Sequence, residues 1–241
     1  MFYYLAKPLL IYNVILIAAA VIPAGFLLLK VYRADRVEKE GGRLLGKVFI
    51  AGVLASLLAL VEERIGMLVL SWLVPEGSVL YNILLYFVLV AFAEESSKYI
   101  LLRRRTWADP EFNCQFDGVV YAVFVSLGFA AWENISYVLS YGLGTALVRA
   151  VTAIPGHACF GVFMGVFYGF ARRSAVRGDG GEKKWSAAAL ALPALLHGAY
   201  DYIASLNRTG AGWLFLLFVL ALFLVSFRLV SRSASDDRYF R

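Results

Sequence analysis

Charge is what this 241-residue chain has least of. Asp, Glu, Lys and Arg make up 17% of it, against about 25% in a soluble globular chain. Hydrophobic residues make up 61%, and the mean hydropathy is +0.72. That leaves too few charged groups to cover a water-soluble enzyme of 26.7 kDa. A disordered or collagen-like chain is excluded by the same composition. Cysteine is nearly absent: Cys114 falls in a polar loop and Cys159 in an apolar stretch. A disulfide-stapled module and a CxxC metal pair are therefore both excluded. Basic residues interleaved with stacking aromatics are also missing, so the net charge of +6 does not indicate nucleic acid. What remains is a single-domain, all-α integral membrane protein spanning residues 1–241, in contact with lipid.

Stretches of roughly 20 apolar residues, the length that crosses a bilayer, run over Leu9–Leu29, Val48–Val74, Val79–Leu102, Gly118–Tyr141, Thr145–Ala171, Trp185–Leu206 and Ala211–Val230. The pattern predicts a polytopic bundle of about seven spans, without an internal repeat. The first stretch follows a single Lys7 and has no small-residue cleavage site after it, so it is expected to be a retained helix. The second is interrupted by Glu62, Glu63 and Arg64. Residues 62–74 could continue one tilted helix or lie at the interface.

The connecting segments carry the orientation. Eighteen Lys and Arg fall in Lys30–Lys47, Arg103–Asp117, Arg172–Trp185 and the tail from Arg228; only Lys7, Arg149 and Arg208 fall on the other side. Positive charge concentrates in cytoplasmic loops, which predicts an external N-terminus and a cytoplasmic C-terminus.

Ionisable groups inside a bilayer are costly and mark functional positions. This chain places Glu94, Glu95, Lys98, Glu133, His157, His197 and Asp201 within its spans, and it owns only those two histidines. At about 1.5 Å per residue, Glu133, His157, His197 and Asp201 fall about 18–24 Å from the basic ends of their helices, with the glutamate pair about one turn deeper. Glu94 and Lys98 are four residues apart and can form an ion pair on one face, with Glu95 about 100° away. His197 and Asp201 have the same spacing, which lets the carboxylate orient the imidazole. Gly161, Gly165 and Gly169 read as a packing stripe, and Trp72, Tyr81, Trp185 and Trp213 as interfacial anchors.

Four motifs occur in order on separate spans: Glu94-Glu95-Ser-Ser-Lys98, Phe129-Ala-Ala-Trp-Glu133-Asn134, Gly156-His157-Ala-Cys-Phe-Gly161 and His197-Gly198-Ala-Tyr-Asp201. Together they resemble the PrsW family of bacterial intramembrane proteases, over roughly Lys30 to Tyr202. The resemblance implies a multi-pass protein of the bacterial cell membrane that cleaves a single-span membrane protein near its extracytoplasmic face. It further implies an anti-sigma-factor substrate in a stress response, with a downstream second protease. PrsW proteins are distant relatives of the CAAX prenyl endopeptidases, whose second motif is FxxxH. Glu133 stands at that histidine's position here.

Peptide hydrolysis needs an activated water, a stabilised oxyanion and a proton for the leaving amine. In the preferred scheme no metal is required. Glu94 or Glu95 is the general base, and His157 holds the water or protonates the leaving group. His197, oriented by Asp201, and Asn134 face the oxyanion, while Lys98 and Glu133 support the site. In the alternative, zinc is held by His157 and His197 with Glu95 or Asp201, although HExxH, the strongest zinc-protease spacing, is absent. A proton-coupled transporter or channel would also line up buried Glu, His and Lys.

Overall fold

A computed structural model describes residues 2–240, with side chains from Leu10 onward. Among these residues the fold is helical, apart from one isolated β-bridge between Cys114 and Tyr239. The helices are α1 (Phe2–Ala34), α2 (Gly42–Leu73), α3 (Val79–Thr106), α4 (Asp117–Tyr141), α5 (Leu143–Val151), α6 (Ala153–Arg177), α7 (Glu182–Ser205) and α8 (Ala211–Ser235). Lys7 and Leu9, at the start of the expected first span, lie outside the described side chains.

Local chemistry sets several boundaries. The Ser78 hydroxyl accepts from the Tyr81 amide and caps α3. Gly142, at φ +82°, turns the chain out of α4, and Gly178, at φ +66°, ends α6 in the left-handed region that glycine tolerates. Within α3 the stretch Leu84–Phe92 is wound as π-helix before α-helix resumes at Ala93.

Six helical stretches are long and apolar enough to cross a membrane. They comprise α1 from Leu10, α2, α3, α4, α5 with α6, and α8. The seventh expected span, α7, forms a helix of 24 residues, about 36 Å long. Its charged first turn, with His197 and Asp201 further along, makes it more polar than the rest. Residues 62–73 continue α2 without interruption, so the second stretch is one 32-residue helix. The expected helix over Thr145–Ala171 is broken at Thr152, leaving α5 as a separate nine-residue piece.

α4 forms the centre of the bundle: 78% of its apolar window is buried, against 17% for α3 and for α8. It packs on α6, α2 and α1. Glycine makes the α4–α6 crossing close, since a Cβ on Gly165 would collide with the backbone of Gly118 and Val119. The outer helices turn Ile22, Leu68, Trp72, Trp213 and Leu217 outward, an apolar surface suited to lipid.

Candidate active site

Four helices contribute to one buried polar cluster. α3 supplies Glu94, Glu95 and Lys98; α4 supplies Glu133; α6 supplies His157; α7 supplies His197 and Asp201. Close approach of α7 to α3 depends on Gly198, where a Cβ would stand 2.9 Å from the Phe87 Cα. That contact brings His197, one residue earlier, onto the glutamate pair.

The centre of the cluster is the Lys98 ammonium, which is fully buried. It donates to Glu95 Oε1 at 2.7 Å and to Glu94 Oε2 at 3.1 Å, and lies 3.3 Å from His157 Nδ1. It also sits 3.9 Å from the centre of the Phe129 ring, which adds a cation–π contact. The i, i+4 spacing predicts the Glu94 contact alone. In the structure Lys98 holds both glutamates, and Glu95, three residues away, is the nearer.

The histidines are mirror-like in their wiring. His157 Nε2 lies 2.9 Å from Glu133 Oε2, and its Nδ1 faces Lys98. An ammonium can only donate, so His157 Nδ1 is the acceptor and Nε2 carries the proton toward Glu133. His197 Nδ1 lies 3.0 Å from Glu95 Oε1 and 3.9 Å from Glu94 Oε2, while its Nε2 lies 3.3 Å from Asp201 Oδ2. With both nitrogens facing carboxylates, this ring is fully hydrogen-bonded only when it carries two protons. The two imidazoles are perpendicular, with centroids 5.2 Å apart, and Phe160 stacks on His197 at 4.6 Å.

An outer arm anchors Glu133. Arg149, from the short helix α5, pairs with Glu133 at 2.9 Å and donates from Nε to Asn134 Oδ1 at 2.7 Å. Asn134 in turn donates to the Ala20 carbonyl at 3.1 Å, tying α4 to α1. Asn134 is thus buried against α1 and Arg149, away from the open side of the cluster, where the sequence places it as an oxyanion donor.

A cavity of about 530 Å³ opens on the cluster. Glu94, Glu133, His157, His197 and Asp201 reach its wall, as do Arg149 and, from α2, Glu63 and Arg64; Glu95 and Lys98 lie behind it. Sequence reasoning missed three of these. Arg149 is read there as an outer-face charge, although it stands inside an apolar stretch, which is itself a signal. Glu63 and Arg64 are noted as an interruption of the second span; their neighbour Glu62 accepts from Ser97 at 3.1 Å.

Glu94, Glu95, His157 and His197 each offer one ligand atom, all within 4.8 Å of one another, and all four residues are buried. Glu95 Oε2 is buried without a hydrogen-bond partner. Carboxylates on the far nitrogens of both histidines are the outer shell that metal-ligating imidazoles require. The donor set therefore fits a zinc-type ion, provided that Lys98 yields its contacts with these atoms. Asp201, the alternative third ligand in the sequence reading, stands behind His197 instead of beside the four donors.

Comparison with known proteins agrees in extent with these motifs. Residues 40–228 match the PrsW family of intramembrane metalloproteases. A protease PrsW of Halalkalibacterium halodurans is 31% identical over 92% of this chain and 99% of its own length. Those of Bacillus subtilis and Geobacillus kaustophilus are 34% and 33% identical, over 78% and 92% of this chain and 82% and 94% of their own lengths. No solved structure matches the chain significantly. With helices able to cross a membrane, a buried Glu/His/Lys cluster and a match over most of its length, the chain belongs to the PrsW family of intramembrane proteases.

Proposed function

We propose that the chain is a multi-pass protein of the bacterial plasma membrane that cleaves a single-span membrane protein near its extracytoplasmic face. Its N-terminus is outside and its C-terminus cytoplasmic, in keeping with the eighteen basic residues on one side. The substrate class is an anti-sigma factor, cut as the first step of a stress response. A second protease completes the degradation. The observation that carries the reading is the buried set of Glu94, Glu95, His157 and His197, three of which reach the wall of a cavity with Glu95 directly behind.

In this reading Glu94 is the base, because it reaches the cavity whereas Glu95 lies behind it. Glu94 takes the proton of a water whose oxygen attacks the scissile carbonyl carbon. His197, held by Asp201 through Nε2, turns its Nδ1–H from Glu95 to the developing oxyanion, and Arg149 takes the cavity-facing role that Asn134 cannot fill. As the C–N bond breaks, the leaving nitrogen receives a proton through His157, whose position Glu133 fixes. Lys98 holds the two glutamates in register, and Glu95 orients His197 before the oxyanion forms.

The family's metal would be held by Glu94, Glu95, His157 and His197, and when bound it would supply Lewis-acid activation of the attacking water. The Lys98 ammonium among the same donors favours the metal-free scheme; the carboxylates behind both histidines favour the metal. Cleavage of a single-span reporter by the detergent-purified protein, with and without a strong zinc chelator, separates the two. Activity that survives in metal-free protein supports Glu94 as the sole water activator. Activity lost and restored by zinc assigns the four donors to the metal. Absence of cleavage under every condition overturns the reading.

A further inference from the structure

A second cluster of buried acids lies at the basic-loop end of the bundle, far along α4 from Glu133. It joins Asp35 after α1, Glu40 before α2 and Asp117 at the start of α4, at 3%, 4% and 1% exposure. Each offers a carboxylate oxygen, and these lie within 4.8 Å of one another. Two of the three are partly satisfied. Asp117 Oδ2 accepts from the amides of Asn113 and Cys114, at 3.0 and 2.6 Å, and Glu40 accepts from the Tyr121 hydroxyl.

Asp35 is different, because both of its carboxylate oxygens are buried and neither makes a hydrogen bond. The amides of Val37 and Glu38 and the Lys39 side chain are close enough to ease its charge, but burial outweighs them. The Lys39 ammonium itself is spent on the backbone carbonyls of Tyr32 and Asp35. None of the three acids forms a salt bridge within the described residues. Close by, Asp237 has a further buried oxygen without a partner, while its other oxygen accepts from the Phe116 amide at 2.9 Å. Three carboxylates buried together with few donors and no salt bridge are unfavourable, and a purely oxygen donor set suits a hard cation.

We propose that Asp35, Glu40 and Asp117 bind a hard divalent cation, of the magnesium or calcium class, at the end of the bundle opposite the catalytic cavity. The cation cross-links the α1–α2 connection to the α3–α4 connection. Asp237 extends the same patch to the segment after α8, which already pairs with Asn113 through the Phe240 amide at 2.8 Å. The site stands independently of the protease reading, since it shares no residue with the intramembrane cluster.

The test uses full-length protein in detergent, stripped of metal and then given millimolar magnesium or calcium chloride. Amide hydrogen exchange is expected to slow by about tenfold or more over residues 35–41 and 113–117, and to stay unchanged at 94–98. In Asp35→Asn the response is expected to weaken by about tenfold or more, as for loss of a charged ligand. The same variant is expected to melt higher than wild type in metal-free buffer, because it removes an uncompensated charge; a plain structural aspartate would give the opposite. Exchange in the wild type that ignores both cations overturns the proposal, whatever the variant does. So does Asp35→Asn with an undiminished response.

Discussion

The two acid clusters of this molecule differ in how their charge is met. In the membrane interior, Glu94 and Glu95 share a lysine, and two histidines and an arginine complete the set. At the basic-loop end, Asp35, Glu40 and Asp117 have amides, a phenol and one another for partners, but no salt bridge among the described residues. Burial of charge in low dielectric is tolerable only with such compensation. A compensated cluster can be opened to a cavity and keep its ionised groups ready for chemistry. The uncompensated one is closed over and must take its positive charge, or its protons, from outside.

The sharpest way to break this contrast is at the cavity end. Glu94→Gln, Glu95→Gln, His157→Ala and His197→Ala are each expected to lower reporter cleavage by a factor of about a hundred or more, the scale of losing a general base or a preorganised donor. Each variant should still purify as a folded protein. Full activity in any one removes that residue from the scheme.

A second break is made by Lys98→Met, which strips the interior cluster of its central cation. Removing one partner of a buried ion pair costs about 3–5 kcal/mol, so the thermal transition should fall steeply. A variant that melts as wild type does would show that Lys98 is not the compensating charge. Third comes packing common to both clusters: Gly165→Ala forces α6 away from Gly118, at about 1–3 kcal/mol for an overpacked contact. An unaltered melting temperature would mean that the crossing adjusts freely.

The smallest effect sharpens the contrast by pH. Burial pushes the Glu40 carboxyl up to about 7, with the Tyr121 hydrogen bond acting against it. A carboxyl whose folded value is raised holds its proton better in the native state. Its contribution to stability is therefore greatest at acid pH and declines as pH rises from the unfolded value through about 7. In metal-free buffer the melting temperature should sag over that window, and Glu40→Gln should flatten the profile. An unchanged profile in the variant would assign the sag to another group.

What the sequence made legible was whatever depends on spacing along one chain segment. Helix length, the basic loops, the Glu94–Lys98 pair and the His197–Asp201 pair all follow from a 3.6-residue turn. A meeting of His197 with Glu95 is implied in the sequence only through a shared metal, and their direct contact is not, because the close approach at Gly198 belongs to two helices at once. Arg149 reads as an outer-face charge until the break at Thr152 and the turn at Gly142 fold α5 back onto Glu133. The second acid cluster gives no local signal at all. Its three residues are separated by loops and a helix hairpin, and each alone is an ordinary solvated acid beside basic neighbours.

The π-wound stretch Leu84–Phe92 has a consequence for how this protein can change over evolutionary time. It sits immediately before Glu94 and Glu95, so the number of residues it contains sets the compass bearing of the glutamate pair. Removing one residue would turn everything beyond it by about 100° relative to the preceding helix. Some of its side chains are fixed by contacts, Phe87 against Gly198 and Ala91 fully buried, whereas Val88 and Phe92 face outward and are freer to change. Its length is fixed throughout, so descendants of this chain should vary at the outward positions while keeping the number of residues.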